Sequence, residues 1–317
     1  MAEQQAMVLQ IIHTKATSID EDCGQTSNVM VSSHKQYVDN LIKNLRRQVD
    51  CFEAGRISQR IVEWRKITSD PEILDVVKGY AIELTEGPPP YTGQSKYGFS
   101  SFDGKIIEHE LSKLIAKGVI VPSCHGKGEV ISPIFVCPKK DGSHRMILNL
   151  KYLNNYVEYH HFKMDTLWSV IKLMTPNCFM ASVDLKDAYY SVAVSPASQK
   201  LLKFIWKGQL YKYTCLPNGL SSCPRKFTKL LKPAFTLLRK RGHVSSGYID
   251  DAYLQGNTYD DCANNVVDTV NLFSTLGLVV HPDKSVLEPT QSLEFLGFLL
   301  DSILMRVTLT LQKVDKI

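Results

Sequence analysis

None of the eight cysteines, at positions 23, 51, 124, 137, 178, 215, 223 and 262, pairs with another as Cys-x-x-Cys. That spacing carries most zinc sites and dithiol redox motifs, so neither is expected. No apolar run approaches the roughly 20 residues of a membrane-spanning helix. The opening Met1-Ala2-Glu3-Gln4-Gln5 lacks the basic stretch of a secretory leader. Dispersed thiols without a leader suggest a reducing intracellular setting, with cytoplasm and nucleus left open. Charge of one sign is scarce too: 37 Lys and Arg against 32 Asp and Glu leave a net +5. Such mild basicity fits a nucleic-acid partner without demanding one. Apolar residues, in contrast, make up 44% of 317 positions, enough for a sizeable core in one large domain or two small ones.

Against that background one stretch stands out, Gly247-Tyr248-Ile249-Asp250-Asp251-Ala252. Strand-forming residues flank two adjacent carboxylates, which predicts a tight hairpin with the acids at its tip. An isolated Asp-Asp is usually turn chemistry. Here Tyr248, Ile249, Tyr253 and Leu254 surround the acids with residues prone to burial. Carboxylates held that way repel each other and need a cation to stay ionised. Mg²⁺, a hard ion, is the natural candidate. Sixty-six residues upstream of Asp250, the apolar stretch Phe179–Val183 ends in Asp184. That separation allows the two strands to be sheet neighbours. Three carboxylates on two metals is the arrangement of in-line phosphoryl transfer.

These residues resemble a known family. Tyr248-Ile249-Asp250-Asp251 resembles the Tyr-x-Asp-Asp box of reverse transcriptases, and Asp184 to Tyr190 resembles their first catalytic box. Leu216-Pro217-Asn218-Gly219, continuing to Phe227, resembles the box between them. The three occur in the family's order, within a likeness running from about Leu111 to about Leu300. Trp64–Asp70, Val77–Tyr80 and Phe295–Phe298 further resemble a DIRS-type retrotransposon polyprotein, whose RNase H and tyrosine recombinase are then expected elsewhere in the parent element.

The resemblance implies an α+β fold of polymerase palm and fingers. It implies an RNA-directed DNA polymerase, a nucleotidyltransferase extending a primer 3′-hydroxyl with dNTPs on an RNA or DNA template. Asp184 and Asp250 are then metal ligands for two Mg²⁺ (Mn²⁺ also possible), Asp251 a weaker or outer one, and the Leu185 carbonyl an assistant. The turn Pro138–Arg145 becomes the fingertip over the triphosphate, with Lys140 or Lys139 and Arg145 on the phosphates. Asp187, Ala188, Tyr189 and Asn218 contact the nucleotide, the Tyr189 ring lying against its sugar. Lys284 sits near the pyrophosphate, and Phe295-Leu296-Gly297 and Tyr248 touch nucleic acid. The alternative is an idle fragment that only binds nucleic acid or partners.

The remaining expectations come from pattern. Residues 1–32 are polar and weakly patterned, and a helix is expected from Ser33. Another starts near Ser69, with Ser69 and Glu72 as its capping box. Together, 1–86 form a helical, partly disordered extension. The stretch Glu86–Gly93 breaks the pattern, making 87–104 a linker. A helix follows over 106–117, ended by Gly118. Fingers and palm fill 105–301, and 302–317 begins a thumb. Seven cations and no acid lie between Pro224 and Gly242, on a helix that Pro233 should kink. Its basic face, led by Arg225, Lys226 and Lys229, is expected along template phosphates.

Overall fold

The structure, a computed structural model, describes residues 38–46, 49, 51–93, 98–138, 142 and 144–310. The expectation for residues 1–32 lies outside them. A helical stretch covers 38–46, with Val38 and Leu45 buried. Helices α1 (Ile61–Ile67) and α2 (Pro71–Gly79) follow. The cap of α2 is Asp70, not Ser69: Pro71 occupies the first turn, and the Asp70 carboxylate accepts the Glu72 amide at 2.9 Å. Trp64 is fully buried, and its indole N–H donates to the Leu276 carbonyl at 3.0 Å. Ile57, Trp64, Val77 and Tyr80 thus belong to the main core, and the described part of 1–86 is no detached extension.

The described parts of the expected linker, 87–93 and 98–104, are also built in. Strand β1 (Tyr91–Thr92) adds to a sheet edge, and helix α3 (Ser101–Ala116) starts five residues before the expected position. The reason is a capping box between Ser100 and Asp103. Gly118 ends the helix with a φ of +68°. Next come β2 (Ile120–Pro122), β3 (Val130–Ile131), β4 (Ile134–Pro138) and β5 (His144–Leu148). Pro133 lacks an amide donor, and Ser132-Pro133 separates β3 from β4. Helices α4 (Lys151–Asn154) and α5 (Leu167–Leu173) lead to β6 (Phe179–Asp184). Helix α6 (Pro196–Gln199) precedes the hairpin of β7 (Lys203–Trp206) and β8 (Gln209–Tyr213). Its turn is Lys207-Gly208, both at positive φ.

Helix α7 (Cys223–Lys240) runs through Pro233 as a single element. After it come β9 (Val244–Tyr248), β10 (Asp251–Gly256) and α8 (Tyr259–Thr275), the last opened by a Thr258–Asp261 capping box. The chain closes with β11 (Val286–Thr290), β12 (Ser292–Phe295), β13 (Phe298–Asp301) and β14 (Arg306–Leu309). Residues 306–309, expected to begin a thumb, form the third strand of the β12-β13-β14 meander; 311–317 lie outside the described residues.

Two sheets position the chemistry. One is antiparallel throughout, in the order β11-β6-β10-β9, with α7 against β9 and α8 against β10, β6 and β11. The other has the order β1-β3-β7-β8-β2, with parallel pairs at the β1 end. A buried cation stands inside this second sheet: Lys203 donates to Glu129 and to the Cys124 carbonyl, both at 2.6 Å.

Candidate active site

Strands β9 and β10 are joined by the two residues Ile249 and Asp250. Ile249 takes a φ of +57°, a costly conformation for a β-branched residue. The tightness has a local cause. Gly247 packs against Phe235 of α7, and a Cβ there would fall 2.4 Å from the ring. The hairpin therefore sits closer to the helix than a side chain allows. On its other side β10 pairs with β6 in a register that sets Asp251 directly opposite Asp184.

Backbone bonds fix Asp184 on several sides. Its amide donates to the Ser285 hydroxyl at 2.9 Å, and its carbonyl accepts the His281 amide at 2.8 Å. The next amide, of Leu185, donates to the Asp250 carbonyl at 2.9 Å, and Lys186 continues onto Val279. The first acid is thereby tied both to the turn that holds the second and to the loop that carries Lys284. Ser285 was not legible in the sequence, where nothing separates it from other serines near a turn.

The carboxylates feel one another. Burial first, then Asp250 and Asp184, push Asp251 up to about 7 against the pull of Lys284. Burial pushes Asp184 up to about 6, with Lys284 lowering and Asp250 raising it. Burial raises Asp250 as well. Crowded half-buried carboxylates facing one exposed ammonium form a hard-oxygen donor set that fits Mg²⁺ or Mn²⁺. Their side chains do not meet in a ready coordination shell: among the described residues no group of three or more His, Cys, Asp and Glu stands close enough to hold an ion.

The other expected residues divide. Tyr189 is half-buried beside this centre, edge-on to Phe227 with centroids 5.6 Å apart, and its phenol is pushed up by burial and by Cys223, Asp250 and Tyr248. The neighbouring Tyr190 hydroxyl accepts from the Asn218 amide at 3.3 Å. Asp187 and Ala188 behave differently from a free nucleotide contact: the Asp187 carboxylate is engaged by Lys117 at 2.6 Å, and Ala188 is buried. Arg145 is exposed on β5, opposite Cys137. Lys139 and Lys140 lie outside the described residues. Phe295, Leu296 and Gly297 form the expected β12–β13 turn, but the Phe295 ring points inward onto Tyr253 and leaves the turn itself as the accessible part.

The basic helix face requires correction. Lys226 is buried, donating to Glu83 at 2.6 Å and Glu72 at 3.1 Å; Lys229 reaches Glu72 at 3.1 Å, and Arg225 lies between the same two acids. These three cations bind α7 to α2 and the strand-like segment after it, so they are not a free face. Their distribution follows from helical phase: Lys226 lies on the stripe of Phe227, Leu230 and Phe235 that meets the core. Lys232 and Arg239, with Lys163, do line an open cleft of about 180 Å³ beside Ile249. Asn154 was also missed. Its side chain donates to the Gly219 carbonyl and accepts the Ser221 amide, both at 2.9 Å, and so shapes the turn carrying Asn218.

Comparison with known proteins places this geometry. The chain is 26% identical over 217 residues, 68% of its length, to the Pro-Pol polyprotein of simian foamy virus type 3, of which that match spans 18%. It superimposes on a foamy viral protease-reverse transcriptase in complex with double-stranded DNA with a TM-score of 0.66, at 20% identity, over 94% of this chain and 50% of that one. A foamy viral protease-reverse transcriptase in complex with an RNA/DNA hybrid matches with a TM-score of 0.61, at 19% identity, over 94% and 39%. These likenesses establish the fold as polymerase palm and fingers, the palm being the β11-β6-β10-β9 sheet. The profile described as "Reverse transcriptase (RNA-dependent DNA polymerase)" matches residues 137–300, more than half of the chain, and the chain therefore belongs to the reverse transcriptase family.

Proposed function

We propose that the chain is the RNA-directed DNA polymerase part of a retroelement polyprotein, extending a primer 3′-hydroxyl with dNTPs on an RNA or DNA template. The observation that carries this is the register of Asp251 against Asp184, with Asp250 at the intervening turn. Asp184 and Asp250 would hold the metals, with Asp251 as a weaker or outer ligand and the Leu185 carbonyl assisting. Two Mg²⁺ ions, or Mn²⁺, supply when bound the Lewis acidity that makes the primer hydroxyl a nucleophile and offsets charge on the pyrophosphate. Lys284 sets a fixed positive charge on the leaving side of the acids, and Arg145 with Lys139 or Lys140 grips the triphosphate from the β4–β5 turn. The catalytic unit spans 105–301, braced by 51–93.

Two finer readings go with this one. Trp64–Asp70, Val77–Tyr80 and Phe295–Phe298 support a DIRS-type element, with RNase H and recombinase segments as partners elsewhere in it. The foamy viral complexes with duplex DNA and RNA/DNA hybrid support a primed template as the substrate. Primer extension by the purified chain tests the whole. Mg²⁺-dependent extension that Asp184→Asn or Asp250→Asn abolishes, with template binding kept, is the expected result. Binding with no extension under any metal leaves a fragment that only holds nucleic acid, and undiminished activity in either variant removes the metal assignment.

A further inference from the structure

Strand β6 ends at Asp184, and the chain turns back through Leu185-Lys186-Asp187 into a single helical turn, Ala188–Ser191. Asp187 stands at the start of that turn with φ +51° and ψ +38°, the left-handed conformation that Asp tolerates better than most residues. An aspartate in this place ordinarily caps the helical amides, yet the Asp187 side chain makes no such bond. Its carboxylate meets the Lys117 ammonium at 2.6 Å instead.

Lys117 is itself held from two sides. It ends α3, where a cation also meets the negative end of the helix dipole. Its ammonium lies 5.6 Å from the centroid of the buried Phe52 ring, and its carbonyl accepts the Ala54 amide at 2.9 Å. The next amide, of Gly55, donates to the Tyr190 carbonyl at 2.8 Å. Lys186 donates to the Val49 carbonyl at 2.8 Å. Segment 49–55 thus joins the end of α3 to both sides of Asp187. The Lys117 and Asp187 side chains keep 31% and 23% of their surface in solvent. A pair that accessible contributes little to stability, so stability does not account for it.

The surroundings do. Asp187 follows Asp184 by three residues, and its charge reaches both flanks of the acid centre. Burial, then Lys284 and Lys186, hold His281 below its ordinary value, with Asp283 and Asp187 opposing them. Burial, then Cys215 and Asp187, raise the Tyr190 phenol, which is bonded to Asn218. A polyphosphate lying between Lys284 and Asn218 therefore comes within the field of the Asp187 carboxylate. Unpaired, that carboxylate repels it; paired with Lys117, it does not.

We propose that Lys117 is a positioning residue for the incoming nucleotide: it neutralises Asp187 and pins the 186–188 turn, so that the triphosphate meets no uncompensated carboxylate beside the acids. This deepens the polymerase reading and rests on it. Lys117 touches neither nucleotide nor metal; it acts through Asp187.

The test is single-nucleotide primer extension by the full chain, with kcat and the KM for dNTP measured separately. Lys117→Met should raise that KM about tenfold and leave kcat and primer–template affinity within about twofold, the signature of lost ground-state binding. Lys117→Arg, which keeps the charge, should stay near wild type. Lys117→Met combined with Asp187→Asn removes both charges and should recover most of the loss, since Asn tolerates the same left-handed backbone. Added salt should narrow the gap between Lys117→Met and wild type, because screening weakens the repulsion. Each variant should melt close to wild type. An unchanged KM in Lys117→Met overturns the inference, and so does a KM equally high in the double variant, which marks a merely structural contact. A wild-type chain that binds primed template and extends nothing overturns the polymerase reading, and this inference falls with it.

Discussion

Asp251 stands directly opposite Asp184 on adjacent antiparallel strands, a placement in which like charges destabilise the sheet. Asp250, at the turn between them and Tyr248, adds a third charge. A cation shared by these groups therefore stabilises the folded chain and has no counterpart in the unfolded one. Mg²⁺ should raise the melting temperature of the wild-type protein. In Asp184→Asn that rise should shrink or vanish, while the EDTA-treated variant melts at or above EDTA-treated wild type. Scanning calorimetry with and without Mg²⁺ measures both; a full Mg²⁺ response in the variant speaks against the shared site.

The cations of α7 should separate into two classes. Lys226 is 2% exposed and joins Glu72 and Glu83, which keep 44% and 37% of their side chains in solvent. Lys226→Ala should cost about 1–3 kcal/mol of stability, because two acids lose their buried partner but keep Arg225 or Lys229 nearby and can rehydrate. Its template affinity should keep the wild-type salt dependence. Lys232→Ala and Arg239→Ala should barely change stability and should each flatten the slope of log K against log salt by about one. Fluorescence anisotropy across a salt series tells the two classes apart, and a flattened slope for Lys226→Ala would return that residue to the nucleic-acid face.

Tyr189 and Tyr190 invite a similar separation. Tyr189 is half-buried near Asp250 and Tyr248; in the proposed function its ring closes off space beside an incoming sugar. Tyr189→Ala should raise ribonucleotide relative to deoxyribonucleotide incorporation, since the discrimination is steric. Tyr190 bonds Asn218, and Tyr190→Ala should chiefly lower the melting temperature. Parallel loss of activity in both variants, with sugar preference unchanged, rules Tyr189 out as the gate.

Acid should weaken the fold through two ion pairs built on buried lysines, Lys226–Glu72 and Lys203–Glu129. The bond from Lys226, against the effect of burial, brings Glu72 to about 2, below its ordinary 4.5. Burial raises Glu129, but bonds from Lys203, His125 and the Gly126 amide override it and bring it to about 2 as well. Folded pKa values below the unfolded ones mean that the unfolded chain takes up protons first as pH falls. Their contribution is complete above about 4.5 and disappears as pH drops toward 2. Glu129→Gln should lose stability at neutral pH and show a shallower decline in acid. Urea melts from pH 7 to pH 3 measure this, and an unchanged pH profile in the variant excludes Glu129 from the acid response.

What the sequence determined by itself was whatever depends on neighbours along the chain. The Tyr-Ile-Asp-Asp turn, the strand ending in Asp184 and the helix over 223–240 follow from strand and helix periodicity. The order of the boxes carried the family, because that order is a property of the chain. Only the tertiary structure decided which residues face which. The charge pattern of α7 reads the same whether Lys226 meets a phosphate or Glu83, since Glu83 is brought to it from 143 positions away. Likewise Tyr91 and Tyr152 form a stack only because a two-residue strand pairs at a sheet edge, and two residues carry no period to read. Ser285 reaches Asp184 through a loop 101 residues downstream. Burial and long-range pairing set these contacts, and neither leaves a mark on the local sequence.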